Sequence, residues 1–372
     1  MKDLGAGETA PPPVPSPPPK PSFSDIFERT AFALIIGAAG GALFHAAGLP
    51  AAWLTGSMLA VAALALFHAP MELPGPLASA SFVLVGVSMG AGFDAQILAG
   101  LTKWPLSLVA LFLSVPAIMG AVAFYLRRAG WDAPTAFFAS IPGALSYVIA
   151  MSLQSRADAR LVVMAQMVRL MILMAILPPL IVALTGEAEI PVAAMAPARF
   201  EGAAGFAVMI AGGAALGLLL HWLRAPAGLL LGAMIASATL HLTGLVAGQL
   251  PGAILVPTLV VLGAYTGMRF EGASVAALVR SLPALLIAFF VALGVAALFA
   301  AAVAEGLGVP WGQALLAFAP GGLEAMIILS FLLGLDPAYV GAHQFARFLF
   351  IALLLPVVAR RYLAPADRAT LP

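Results

Sequence analysis

The chain repeats itself, and this internal duplication constrains the fold more than any single motif. Glycine, proline and polar residues recur at positions 176 to 178 residues apart. The clearest matches are WLTGSML (53–59) with LLLGAMI (229–235), VGVSMGAGFD (85–94) with LGAYTGMRFE (262–271), and PGAL (142–145) with PGGL (320–323). Such agreement is hard to obtain by chance in a chain rich in Ala and Leu, so it predicts two homologous halves.

Lipid must be the solvent for most of this chain. Of the 372 residues, 63% are hydrophobic and 9% are charged, and the mean hydropathy is +1.07. A soluble globular domain is only about half apolar and about a quarter charged. Each half contains six apolar segments, which predicts an all-α polytopic membrane protein.

The segments divide the chain into five predicted regions. The Pro-rich run PPPVPSPPPKP lacks the apolar surface needed to fold, so the N-terminal tail is expected to be disordered and cytoplasmic. The predicted regions are the tail (1–30), a first membrane repeat (31–183), a polar linker (184–204), a second membrane repeat (205–360) and a C-terminal tail (361–372).

The fifth segment of each half is interrupted by Pro and Gly at its centre. The interruptions are Pro142-Gly143 and Pro320-Gly321-Gly322. Pro removes a backbone donor and Gly loosens the chain, so a continuous helix is not expected there. If all six segments cross the membrane, the halves are parallel copies. If the fifth segment is a re-entrant hairpin, each half crosses five times and the copies are inverted.

The distribution of Lys and Arg favours re-entrant hairpins. Two of the 17 basic residues, Arg169 and Arg347, lie within segments. With the N-terminus inside, the hairpin topology places thirteen of the other fifteen inside and only Lys103 and Arg199 outside, whereas the six-crossing topology places nine inside. We therefore expect two inverted repeats, about ten transmembrane helices, two hairpins and cytoplasmic termini. A broken helix that crosses fully is the alternative.

The Pro-Gly tips mark the predicted site. Non-helical backbone at membrane depth is tolerated only where protein or a water-filled cavity surrounds it, and secondary transporters often combine inverted repeats with interrupted helices. The segment after each tip contains Gln-x-x-Arg on one helix face near mid-membrane, at Gln166/Arg169 and Gln344/Arg347. Each Arg could bind an anionic group or cap hairpin carbonyls, and the two roles are compatible.

An acidic residue follows the second tip only. It is Glu324, whose counterpart in the first half is Ser146. A buried acid at this place could take up a coupling proton or cation, or could pair with Arg347. The predicted substrate-binding residues are Pro142, Gly143, Ser146, Gln166, Arg169, Pro320, Gly321, Gly322, Glu324, Gln344 and Arg347.

Several kinds of chemistry find no support in the sequence. The chain has no Cys, so it has no thiolate metal site, and its five His residues lack metal-ligand spacing. Phosphate-loop and nucleophile motifs are absent from the sequence. A net charge of +1 does not suggest a nucleic-acid partner. We expect no enzyme activity, no cofactor and no metal.

Several stretches resemble one known family. GLPAAWLTGSML, VGVSMGAGFD, GWDAPTAFFASIPGALSYV, QMVRL, APGGLEAMIIL and HQFAR are similar to the AbrB-duplication family of bacterial membrane proteins, over about residues 32 to 360. The first tip departs from the family, because it reads PGAL where PGG is more usual. The resemblance implies an inner-membrane protein. Family members carry conflicting labels, some as provisional ammonia monooxygenases and others as regulators of gene expression.

The leading hypothesis is a secondary transporter of a small metabolite, with an anionic metabolite as one option, working by alternating access at the interface of the repeats. Its partners would be the lipid bilayer and the solute, and it could also bind a coupling proton or cation. The protein could form a homodimer. The alternative is a membrane sensor that affects gene expression. A membrane monooxygenase ranks third, because a copper enzyme needs clustered His ligands.

Overall fold

The computed structural model describes residues 22–92, 104–186, 203–360 and 362. Within these ranges the chain forms fourteen α-helices and no β-strand. The helices of the first half are α1 (Phe23–Ala46), α2 (Ala52–Leu66), α3 (Gly75–Gly90), α4 (Trp104–Arg128), α5 (Ala133–Ser140), α6 (Leu145–Leu153) and α7 (Ala159–Thr185). Those of the second half are α8 (Ala203–Trp222), α9 (Gly228–Leu242), α10 (Gly252–Gly267), α11 (Val275–Leu307), α12 (Trp311–Phe318), α13 (Leu323–Leu332) and α14 (Pro337–Ala359).

The two halves have the same succession of helices, and the protein is an all-α polytopic membrane protein, as predicted. Seven described helices are long and apolar enough to span a bilayer, namely α1, α4, α7, α8, α10 together with the 3₁₀ turn that extends it to Phe270, α11 and α14. With the three shorter apolar helices α2, α3 and α9, which have 15 or 16 residues, the described helices outside the hairpins number ten, in agreement with the prediction of about ten. At 1.5 Å per residue the three shorter helices are about 22 to 24 Å long.

The first helix begins earlier than predicted. The boundary at residue 31 falls inside α1, which starts at Phe23. Ser22 and Asp25 form a reciprocal capping box that satisfies backbone donors at this end, so the polar residues before the apolar run are already helical. Residues 1–21, the linker core 187–202 and the end of the chain lie outside the described residues, so the predictions for them stay predictions.

The fifth segment of the first half is a re-entrant hairpin. It consists of α5 and α6, joined by Pro142, Gly143 and Ala144. The backbone N–H of Asp158, which follows the hairpin, donates a hydrogen bond of 2.8 Å to Thr135 Oγ1 in the first turn of α5. A helix that crossed from residue 133 to 153 would separate these atoms by about 30 Å. The chain therefore returns to the level at which it entered.

The second hairpin enters from the opposite face. A Cβ added at Gly312, at the start of α12, would lie 2.8 Å from Ile181 near the end of α7 and 3.2 Å from Leu335 just before α14. The end of α7 therefore lies level with the start of α14. At the other face, the N–H of Arg156 donates to the carbonyl oxygen of Tyr362, so α7 begins where α14 ends. These equivalent helices are antiparallel, and the repeats are inverted.

The helices sort into two bundles. The six-helix bundle contains α1–α3 and α8–α10, and the hairpin bundle contains α4–α7 and α11–α14; contacts are dense within each and sparse between them. Glycines allow close packing in the six-helix bundle. A Cβ at Gly86 would lie 2.4 Å from Leu230 O, and one at the equivalent Gly263 would lie 2.5 Å from Leu54 O. The scaffold is thus symmetric, with α3 against α9 and α10 against α2.

Candidate functional site

The tips of the two hairpins meet inside the protein. A Cβ added at Gly143 would lie 3.3 Å from the carbonyl oxygen of Gly321 and 3.6 Å from Nη2 of Arg347. The second half-helices, α6 and α13, begin directly after the tips. The first N–H groups of a helix have no intrahelical acceptor. Two helix N-termini therefore point their free donors and positive dipole ends toward the region between the tips.

In the second half, Gln344 and Arg347 satisfy the end of α12. The side-chain amide of Gln344 donates to the carbonyl oxygen of Leu316 at 2.8 Å. The guanidinium of Arg347 donates to the carbonyl oxygens of Ala319 and Gly321, and also to Gln344 Oε1. Both side chains are buried, with Arg347 only 2% exposed. The carbonyls that the broken helix leaves without partners are thereby paired.

In the first half, only the Gln of the Gln-x-x-Arg motif bonds to the carbonyls at the end of the first half-helix, α5. The amide of Gln166 donates to the carbonyl oxygens of Phe138 at 3.3 Å and Ile141 at 3.1 Å. Arg169 donates to Gln166 Oε1, and this is its only hydrogen bond within the part of the chain that the structure describes. Its side chain is partly exposed and lines a cavity. The guanidinium of Arg169 therefore has more N–H groups available to a ligand than the guanidinium of Arg347 has.

The cavity between the tips has a volume of about 300 Å³. It contains most of the predicted residues: Gly143, Gln166, Arg169, Pro320, Gly321, Gly322 and Glu324. Pro142, Gln344 and Arg347 are buried behind its wall instead, and the side chain of Ser146 lies outside the described residues. The predicted ion pair between Glu324 and Arg347 does not form, because the guanidinium of Arg347 is engaged with backbone carbonyls.

The six-helix bundle contributes residues to the cavity that the sequence analysis did not assign to the site. They are Pro226 and Ala227 before α9, and Arg269 in the 3₁₀ turn after α10. The positive charge of Arg269 acts on the carboxylate of Glu324, which lies on the hairpin bundle. A signal was present in the repeat, since Arg269 and Glu324 replace Gly92 and Ser146 of the first half. The site therefore spans both bundles.

A second cavity leads from the site to one face of the protein. It has a volume of about 730 Å³ and shares Ala227 and Glu324 with the first cavity. It extends to Trp222 and Arg224 at the end of α8 and to Gly75 at the start of α3. The shared residues place the two cavities next to each other, beside the hairpin tips.

The two tips differ in backbone conformation. Gly143 and Ala144 both have positive φ, at 84° and 52°. Gly322, the counterpart of Ala144, has φ −78°. The left-handed conformation costs an L-residue with a Cβ roughly 1 kcal/mol, and Gly adopts it freely. The first tip therefore places an alanine where a glycine would be less strained.

Sequence comparison connects this architecture to known proteins. The family described as "Transition state regulatory protein AbrB" matches residues 4–101 and 53–363. The chain belongs to the AbrB family. The two AbrB matches overlap over residues 53–101, as expected if an AbrB sequence itself contains a duplication.

Two curated proteins are similar to this AbrB-family chain over most of its length. The Bacillus subtilis (strain 168) protein YhjN, described as uncharacterized, is 26% identical over 351 residues, which cover 87% of this chain and 90% of YhjN. An Escherichia coli (strain K12) protein, named provisionally as regulator AbrB, is 26% identical over 324 residues, which cover 85% of this chain and 91% of that protein.

Proposed function

We propose that this protein is a secondary transporter that moves a small anionic solute across the bacterial inner membrane, with both termini in the cytoplasm. The observation that carries the proposal is the meeting of two inverted, broken hairpins at a charged cavity. In membrane carriers, interrupted helices near mid-membrane supply binding groups that a continuous helix would keep for itself.

The chemistry of the cavity supports an anionic solute. Arg169 and Arg269 line it, and the N-termini of α6 and α13 point toward it. Guanidinium groups bind carboxylates and phosphates with paired, charge-assisted hydrogen bonds. Free N–H groups at a helix N-terminus add to the same preference. Arg347 supports the site indirectly, by holding the second tip in place.

The division into two bundles supports alternating access. The hairpin bundle carries both tips, while the six-helix bundle supplies Arg269 and the turn at Pro226. Contacts between the bundles are sparser than those within either one, so one bundle can shift against the other while each keeps its internal packing. Such a shift would close the cavity that extends to Trp222 and open the tips toward the opposite face. Glu324 is positioned to take part in coupling to a proton or cation.

Proteoliposome transport tests this proposal. The full chain is reconstituted, and uptake of a broad panel of labelled metabolites is compared with that of Arg169→Gln and of Arg280→Gln. Arg280 is an exposed Arg on α11 outside both cavities and serves as the control. We expect at least one anionic metabolite to be taken up, with uptake lost in Arg169→Gln and kept in Arg280→Gln. Equal uptake by all three proteins, or none by the unmodified protein, contradicts the assignment.

A regulatory function is the second candidate, because the Escherichia coli relative is named provisionally as a regulator. In a regulator, the cavity would sense a solute rather than transport it. Deleting residues 1–21, which precede α1, tests this candidate. A change in gene expression that requires this segment, with transport unchanged, would favour signalling.

A further inference from the structure

Three charged side chains face the cavity between the hairpin tips, and they are not neutralised by contact with one another. They are Arg169 and Glu324 on the hairpin bundle and Arg269 on the six-helix bundle. No hydrogen bond or direct ion pair joins any two of them among the described residues. Charges held at membrane depth are costly unless something pairs with them. A ligand that supplies the opposite charges would remove that cost.

Arg269 contacts an aromatic side chain of its own bundle. Its guanidinium lies 5.4 Å from the ring centroid of Tyr265, one turn earlier along the same chain. This cation–π contact leaves the N–H groups at the edge of the guanidinium plane available. Arg269 and Arg169 line the same cavity from different bundles. An anionic group between them would therefore be held from two sides.

Glu324 has a different environment from the two arginines. It lies in the first turn of α13, where the helix dipole stabilises negative charge. Its carboxylate accepts no hydrogen bond within the described ranges, although it lines both the tip cavity and the larger cavity that leads to the surface. Among the described residues it is the only acidic side chain that lines either of these two cavities. A cationic group at the place where the two cavities adjoin would therefore lie next to Glu324.

From this arrangement we infer that the cavity binds an amino-acid-like zwitterion. Its carboxylate lies between Arg169 and Arg269, and its ammonium group pairs with Glu324. A plain anion would engage the arginines and leave Glu324 with no hydrogen-bond donor, with only the nearby charge of Arg269 to oppose its own. The volume of about 300 Å³ suits a solute on the order of ten heavy atoms, since a water molecule occupies roughly 30 Å³. This inference rests on the proposed transport site and narrows its substrate class.

Besides Arg169, the proposed ligand requires one more positive and one negative side chain, and the second half supplies both. Arg269 stands where the first half has Gly92, and Glu324 stands where it has Ser146. An inverted repeat with identical halves would present the same charges twice. Here one copy adds a positive and a negative group to the same cavity. This pairing is what a ligand with both signs of charge needs.

Binding measurements on matched ligand pairs test the inference. The full chain is purified in detergent, and ligand-induced shifts of its Tm are titrated with glutamate against glutarate, aspartate against succinate, and alanine against propionate. The members of each pair differ by the ammonium group. We expect at least one amino acid to bind about tenfold more tightly than its partner, because a charge-assisted hydrogen bond is lost in the partner.

Variants assign the preference to particular side chains. In Glu324→Gln the amino acid and its partner should bind within about threefold of each other. In Arg269→Gln both should bind about tenfold more weakly, with Arg269→Lys restoring part of the affinity and Arg280→Gln unchanged. Each variant is checked for a single size-exclusion peak, and Glu324→Asp replaces Glu324→Gln, with a reduced preference expected, if the latter does not fold.

The outcomes separate this inference from the transport proposal. Equal binding of amino acid and partner, a preference that survives in Glu324→Gln, or no Tm shift with any of the six compounds would overturn the zwitterion site. A preference that depends on Glu324 supports it, whether or not proteoliposomes take the ligand up. Transport of a plain anion, with no response to amino acids, would keep the carrier and remove the zwitterion.

Discussion

The two Gln-x-x-Arg motifs occupy equivalent positions in the inverted halves, yet their arginines do different things. Arg347 is 2% exposed and bonds to the carbonyls of Ala319 and Gly321, so its guanidinium holds the second tip together. Arg169 bonds to Gln166 and otherwise faces the cavity. A duplicated motif thus supplies one structural residue and one that is free to bind a solute.

The same contrast extends to the rest of the site. The helical scaffold is symmetric, with matching close contacts at Gly86 and Gly263. The charges are not, because Arg269 and Glu324 have Gly92 and Ser146 as counterparts. The scaffold that brings the tips together is therefore symmetric, and we propose that the departures from symmetry determine which solute the cavity binds.

Arg347→Gln should produce the largest loss of stability. It removes charge-assisted hydrogen bonds from buried carbonyls, each worth roughly 1.5 to 3 kcal/mol, so we expect a loss of about 3 kcal/mol or more. Thermal unfolding in detergent, with size-exclusion chromatography, measures it. An unchanged Tm would contradict the structural role assigned to Arg347.

Gly86→Ala and Gly263→Ala should each destabilise the six-helix bundle, and to the same degree. Either Cβ would meet a backbone carbonyl at 2.4 or 2.5 Å, which cannot be relieved by turning a side chain. Overpacking of this kind costs roughly 1 to 3 kcal/mol. Thermal unfolding of the two variants compares the halves directly. Gly120→Ala, at a site with no atom nearby, is the control. Clearly unequal losses would contradict a symmetric scaffold.

Arg169→Gln should separate function from stability. Because its one hydrogen bond within the described residues is to Gln166, we expect a stability loss of about 1.5 kcal/mol, roughly half of that expected for Arg347→Gln. Solute binding and uptake should fall by at least about tenfold, as loss of a charged contact predicts. Unfolding and transport are measured on the same preparation. A stability loss as large as that of Arg347→Gln would place Arg169 in the structural role as well.

Ala144→Gly should give the smallest effect and the opposite sign. It relieves the positive φ of 52° at the first tip, and we expect a gain of up to about 1 kcal/mol, less the entropy that Gly loses on folding. Gly322→Ala at the second tip is the matched variant. Its φ is −78° and its added Cβ would have ordinary contacts at 3.6 Å and beyond, so it should be close to neutral. A loss in Ala144→Gly would argue against strain at the first tip.

The sequence predicted the parts of the site that depend on local pattern. The repeat and the Pro-Gly interruptions are visible as residue types at fixed spacing, and both interruptions separate two half-helices in the structure. The basic-residue distribution favoured re-entrant hairpins, and the bond between Asp158 and Thr135 agrees with it. Family membership was also predicted correctly.

Other features depended on tertiary geometry. In the sequence, Arg269 lies at the end of an apolar segment, where a residue at the membrane–water interface is expected. In the structure, α10 ends after 16 residues and the following 3₁₀ turn places Arg269 beside the cavity. The sequence could not say which Gln-x-x-Arg would be engaged with carbonyls, because the two motifs are identical.

Labelling of single cysteines tests the central claim, alternating access to the hairpin tips, most directly. The chain has no Cys, so Leu145→Cys and Leu323→Cys, equivalent cavity-lining residues after the two tips, can be introduced without background. Each is treated with a membrane-impermeant maleimide from one side or the other of oriented vesicles. The account predicts that each cysteine reacts from both sides. Reaction from one side only, for both variants, would contradict it.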